Sequence, residues 1–107
     1  MFKKKQTKQQ DNRKEIIEMS DQLKTVSTIL KDIYKLIDHS VKVKDLSEKL
    51  RYVRPSTDDM TLKKDLAIKK DIDELKLLIN KTKHDVNIKD LDFILKNIEI
   101  GSIERNK

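Results

Sequence analysis

The side chains best equipped for chemistry are two histidines, His39 and His84, which neighbour Asp38 and Asp85. An imidazole beside a carboxylate can serve as a general base, a proton shuttle or part of a metal site. A zinc-type site needs three or four converging ligands. The chain has no cysteine. If it folds as a hairpin about residue 55, His39 comes opposite position 71 rather than opposite His84, so the ligand set stays incomplete. The carboxylates recur at the spacings of solvated helix faces, with no cleft to drive a pair of pKa values apart. The sequence holds a single glycine, too few for a glycine-rich phosphate loop. No serine or threonine stands in an arrangement that suggests a triad. The sequence therefore predicts a protein that is not an enzyme and takes no metal, cofactor or small-molecule substrate.

Binding to an anionic partner is the next chemistry to consider. The formal net charge is +6, and its position matters more than its size. Residues 1–14 carry Lys3, Lys4, Lys5, Lys8, Arg13 and Lys14 against Asp11, so five of the six net charges lie there and the body is nearly neutral. This segment is expected to be a disordered basic tail, able to touch phosphate or an anionic surface through counterion release. It cannot read sequence, which requires side chains at base edges. A second basic group, Arg51 and Arg54, flanks Tyr52 in "KLRYVRPSTDDM", residues 49–60. That stretch reads first as an elbow. Pro55 disfavours helix at Arg54, Ser56, Thr57 and Asp58 are N-capping residues, and cations suit a helix C-terminus. One tyrosine is not a stacking platform.

The elements that must position these residues are helices. With one glycine and one proline, the chain lacks the turn residues that repeated strands need. Charged residues make up 41% and hydrophobic ones 36%, which suits long helices with narrow apolar seams. Ile16, Met19, Leu23, Val26, Leu30, Ile33 and Ile37 alternate in steps of three and four, an unbroken heptad seam. Continuing that seam would call on Ser40, Lys44, Ser47 and Arg51. The apolar positions are instead Val43, Leu46, Leu50 and Val53, so a kink or short break is expected near Ser40. After the elbow, Ile68, Ile72, Leu75 and Ile79 form a second seam. Asp65 with Lys69, Lys69 with Asp73, and Lys70 with Glu74 mark its wet side. A break is expected at residues 85–87, then a short helix through Leu91, Leu95 and Ile98 that stops at Gly101, placed as a C′ glycine.

The expected fold is all-α: a long antiparallel helical hairpin with its elbow at residues 54–57, or the three-helix bundle formed if the last segment folds back, held by coiled-coil-like heptad seams. One domain spans residues 15–101 and residues 102–107 form a frayed end. The seams Ile16 to Ile37 and Ile68 to Ile79 are the expected protein interface, with a second copy of the chain or with another protein. The expected function is that of a non-catalytic adaptor or accessory subunit. The rival is a nucleic-acid-associated accessory protein that uses the tail with Arg51 and Arg54.

A helical hairpin of this length resembles the small helical proteins of type VII secretion and their partners, which carry a Tyr-x-x-x-Asp/Glu signal. Tyr34-Lys-Leu-Ile-Asp38 matches that string. The resemblance implies an accessory or partner role in such a system. The chain departs from it in having no Trp for a Trp-x-Gly elbow, in placing the motif in the first arm, and in its basic start. No apolar run is long enough to span a bilayer, and the basic start lacks the apolar stretch of a signal peptide. The expected location is cytoplasmic, with signal-less export open.

Overall fold

The computed structural model describes the backbone of residues 2–81 and 85–105, and the side chains of residues 10–33, 35–81 and 85–105. Four α-helices follow one another: α1 (Phe2–Lys31), α2 (Ile37–Arg51), α3 (Asp59–Lys81) and α4 (Ile88–Arg105), with a short 3-10 turn, Tyr34–Leu36, before α2. No strand occurs among the described residues. The protein is all-α, as expected, but with four helices in place of two arms or three helices.

The first arm divides earlier than expected. α1 ends at Lys31, Ile33 takes an extended conformation (φ −102°, ψ 111°), and the amide of Leu36 donates to the Ile33 carbonyl at 2.8 Å. The chain thus reverses at residues 32–36, and Ser40 lies inside α2. α1 and α2 pack antiparallel through four serines spaced in sevens. Ser20 and Ser47 each donate a hydroxyl proton to the other's backbone carbonyl, at 2.9 and 2.8 Å. Ser27 and Ser40 do the same, both at 2.8 Å. In both pairs the hydroxyl oxygens stand 3.1 Å apart. Only small side chains let two helix backbones approach within such reach. Ser40 and Ser47 are therefore buried contact residues beside Val43, Leu46 and Leu50 of the shifted seam, while Lys44 and Arg51, the other two positions of the original register, stay outside the core.

Between Arg51 and Asp59 the chain leaves the helix, a longer stretch than the expected elbow at residues 54–57. Asp58 Oδ2 accepts the Thr61 amide at 3.1 Å, capping α3, and Ser56 Oγ accepts the Asp58 amide at 3.0 Å. Asn87 Oδ1 accepts the amides of Lys89 and Asp90 at 3.0 and 3.2 Å and caps α4. Gly101 does not end that helix. It lies within α4, and a Cβ there would stand 3.0 Å from Ile68 Cγ1, so glycine serves the close approach of α4 to α3. Ser102 and Arg105 beyond it are buried, so the expected fray at residues 102–105 is replaced by packed helix. At the other terminus α1 already runs through the segment expected to be a disordered tail, and Asn12 is buried within it.

All four helices feed one core. α1 packs on α2, α3 on α4, and the two pairs meet through α1 with α3 and α2 with α4. Ile16, Met19, Leu23, Val26 and Leu30 from α1 meet Val43, Leu46 and Leu50 from α2. Ile68, Ile72, Leu75 and Ile79 from α3 meet Leu91, Leu95 and Ile98 from α4, all buried. Each such side chain contributes about 1.5–3 kcal/mol by leaving water. The body measures 51 × 21 × 19 Å. No helix of the described residues is long and apolar enough to cross a membrane.

Candidate functional site

Where the elbow meets the chain's two ends, three polar side chains occupy core positions. Asp65 is 1% exposed, Asn12 2% and Arg105 6%. Arg105 Nε donates to Asp65 Oδ1 at 2.7 Å, and its Nη2 donates to Asn12 Oδ1 at 3.0 Å. Asn12 Nδ2 donates to Asp65 Oδ2 at 2.8 Å, and the Ser56 amide donates to Asn12 Oδ1 at 2.9 Å. The network ties α1, the elbow, α3 and α4 together. Its charges are matched inside a dry setting, where an unpaired charge would be costly. Asp65 was expected on the wet side with Lys69. It stands instead at the head of the seam Asp65, Ile68, Ile72, Leu75, Ile79, just as Asn12 heads the seam of Ile16 and Met19. A polar residue in a heptad core position was the available signal.

Against this network opens a cleft of about 570 Å³, lined by Lys49, Tyr52, Val53, Arg54, Pro55, Ser56, Thr61 and Arg105. No carboxylate lines it. Tyr52 is 82% exposed. Arg54 is exposed and has no ion pair or hydrogen bond among the described residues. Lys49 reaches Asp45 at 3.4 Å, a solvated pair of little strength. Arg51 is not part of the cleft. It turns toward α1, where it lies 3.4 Å from Asp21. Of the remaining cations expected to meet nucleic acid, Arg13 and Lys14 are exposed on α1, while the side chains of Lys3, Lys4, Lys5 and Lys8 lie outside the described residues.

The residues expected to form an interface are placed differently. Ile16, Met19, Leu23, Val26, Leu30, Ile68, Ile72, Leu75 and Ile79 are buried by the chain itself. Ile33 is half-buried, and Ile37, 47% exposed, has left the seam because the chain turns before it. These seams are thus closed within the chain, and the uncovered apolar side chains lie elsewhere. α4 presents three: it commits Leu91, Leu95 and Ile98 to the core and leaves Phe93 67%, Ile100 44% and Ile103 54% exposed. Steps of seven and three keep these three on one side of the helix, opposite the core.

His39 Nε2 lies 2.8 Å from Asp92 Oδ1, because α2 sits beside α4, so position 71 is not its neighbour. His39 Nδ1 is buried without a partner. His84 lies outside the described residues. No group of three or more metal-ligating side chains occurs among the described residues. The Tyr34 to Asp38 string lies at the turn between α1 and α2, and the Tyr34 side chain is outside the described set.

Asp71, half-buried on α3, has its carboxyl pushed up by burial and by Glu74, with Lys70 pulling it down. The unfolded chain returns it to the ordinary 3.8. The folded state therefore holds this proton more tightly. The resulting stabilisation is fully present below the unfolded value and is lost as pH rises through the folded one. Asp71→Asn is expected to raise Tm by about 1–3 °C at pH 7 and to leave it nearly unchanged at pH 3, by calorimetry at both pH values.

Comparison with protein-family models, with curated proteins and with solved structures finds no match for this chain.

Proposed function

We propose that the protein is a non-catalytic helical binding module, an adaptor or accessory subunit, that docks an apolar helix face of another protein on the outer side of α4. The exposed row of Phe93, Ile100 and Ile103 carries this reading. The core is complete without these side chains, so the row does no work for the fold. Covering one such side chain yields about 1.5–3 kcal/mol. Three of them supply the centre of an interface but not its whole, given the cost of association. Self-pairing suits the row poorly. An antiparallel two-fold pairing centred on it sets Phe93 against Ile103 of the second copy but Lys96 against Ile100, burying an ammonium among apolar groups.

A photo-crosslinking residue at position 93 is expected to trap one discrete protein in cells that make this chain from its own gene. The same residue at Lys70, on the outer side of α3, is expected to trap none. Ile100→Asp with Ile103→Asp should abolish the product from position 93 while leaving Tm within about 2 °C, because both side chains are exposed. Equal trapping at both positions, or trapping of the chain by itself alone, would contradict the reading.

A further inference from the structure

We infer that the elbow cleft is a binding site for single-stranded nucleic acid, holding backbone phosphate on Arg54 and Lys49 and a base on Tyr52. This is a different surface from the outer side of α4 and does not depend on it.

Four observations converge on the cleft. Its lining carries Lys49, Arg54 and Arg105 and no acid. Arg105 is already matched by Asp65 at 2.7 Å, which leaves Arg54, unpartnered among the described residues, and the weakly held Lys49 to meet an anion. The Ser56 hydroxyl oxygen accepts the Asp58 amide, so its proton is left to donate to a phosphate oxygen. Tyr52 stands between these cations in sequence and is 82% exposed, the most open of the large hydrophobic side chains among the described residues. A single ring is no platform for successive bases, but beside a guanidinium and an ammonium it can hold one base while the cations meet the phosphates on either side. In a duplex the base faces are stacked away, so an isolated tyrosine gains nothing there.

The placement of α1 adds to the field. Asn12 is tied to Ser56 and Arg105, so the start of α1 lies at this same end. Lys3, Lys4, Lys5 and Lys8 stand in the helix backbone just before Asn12. The start of α1 and the cleft thus share one pole of the molecule, while Arg51 belongs to the α1–α2 contact. Arg51, two residues from the cleft cation Lys49 in sequence, does not line the cleft.

The test uses the full chain and a fluorescently labelled 12-mer of oligo(U), with a duplex of equal length as comparison, followed by anisotropy over a salt series. Lys49→Gln with Arg54→Gln is expected to weaken 12-mer binding and to flatten the salt slope by about 1.4, at roughly 0.7 per phosphate contact. Tyr52→Ala is expected to weaken single-strand binding about tenfold and leave the slope unchanged, since stacking displaces no counterion. Lys35→Gln with Lys89→Gln removes the same charge at the opposite end and should change binding little. All altered side chains are exposed or on the rim, and far-UV circular dichroism verifies the fold. The inference is overturned if the opposite-end variant loses as much as the cleft variant, if Tyr52→Ala is silent, if the duplex binds as tightly as the strand, or if the unaltered chain does not bind the 12-mer at low salt.

Discussion

Asp65→Ala is expected to lower folding stability by about 3–5 kcal/mol, measured as a shift in the urea midpoint at constant slope. The substitution removes the carboxylate that accepts from Arg105 at 2.7 Å and from Asn12 at 2.8 Å. It strands a guanidinium whose side chain is 3% exposed. The loss reflects the stranded charge more than the bond itself. Replacing all three members, Asp65→Leu with Arg105→Met and Asn12→Leu, should therefore return most of it. A single substitution that costs less than about 1 kcal/mol would mean that water reaches the site, and that Arg105 does not fasten the end of α4 to α3.

Ser47→Leu is expected to cost about 2–3 kcal/mol by overpacking, whereas Ser47→Ala should cost only about 1 kcal/mol. In an ordinary heptad seam the order would be reversed, because leucine at a core position fills space that serine leaves. Here the Ser47 hydroxyl oxygen is 3.1 Å from that of Ser20, and each donates to the opposite backbone. A larger side chain must push α2 off α1. Alanine keeps the close approach and leaves the Ser20 hydroxyl its bond to the Ser47 carbonyl. Chemical denaturation of the two variants decides the matter. Stabilisation by leucine would show that the helices are not clasped in this way.

These two sites also show where local sequence chemistry is informative and where it is not. The elbow and the cap of α4 were legible because Pro55, Asp58 and Asn87 act on their own neighbours, within three residues. The reversal at residues 32–36 carries no glycine or proline, and neither the 3-10 turn nor α2 has a side-chain cap there. It exists because α2 finds a better surface on α1 than a straight continuation could offer, which is a tertiary cause. Ser40 and Ser47 were counted as polar gaps in the seam, yet they are the positions where it closes most tightly. Asn12, Asp65 and Arg105 were assigned to tail, wet face and fray. Each needs the other two to be buried, and they come from separate ends of the chain. Only their placement in step with apolar seams marked them. The cleft was half legible: Tyr52 and Arg54 belong to it, Arg51 does not, and Lys49 was assigned no part in it.

The central claim is that this chain completes its own core and offers its outer faces to other molecules. Light scattering behind a sizing column, over a hundredfold range of protein concentration, tests it most directly. The account predicts a folded species at 12.7 kDa throughout, with α4 left open for a different protein. A mass twice that or more, persisting on dilution, would contradict it. That result would mean that the seams of Ile16 to Leu30 and Ile68 to Ile79 are shared between copies and not closed within one chain.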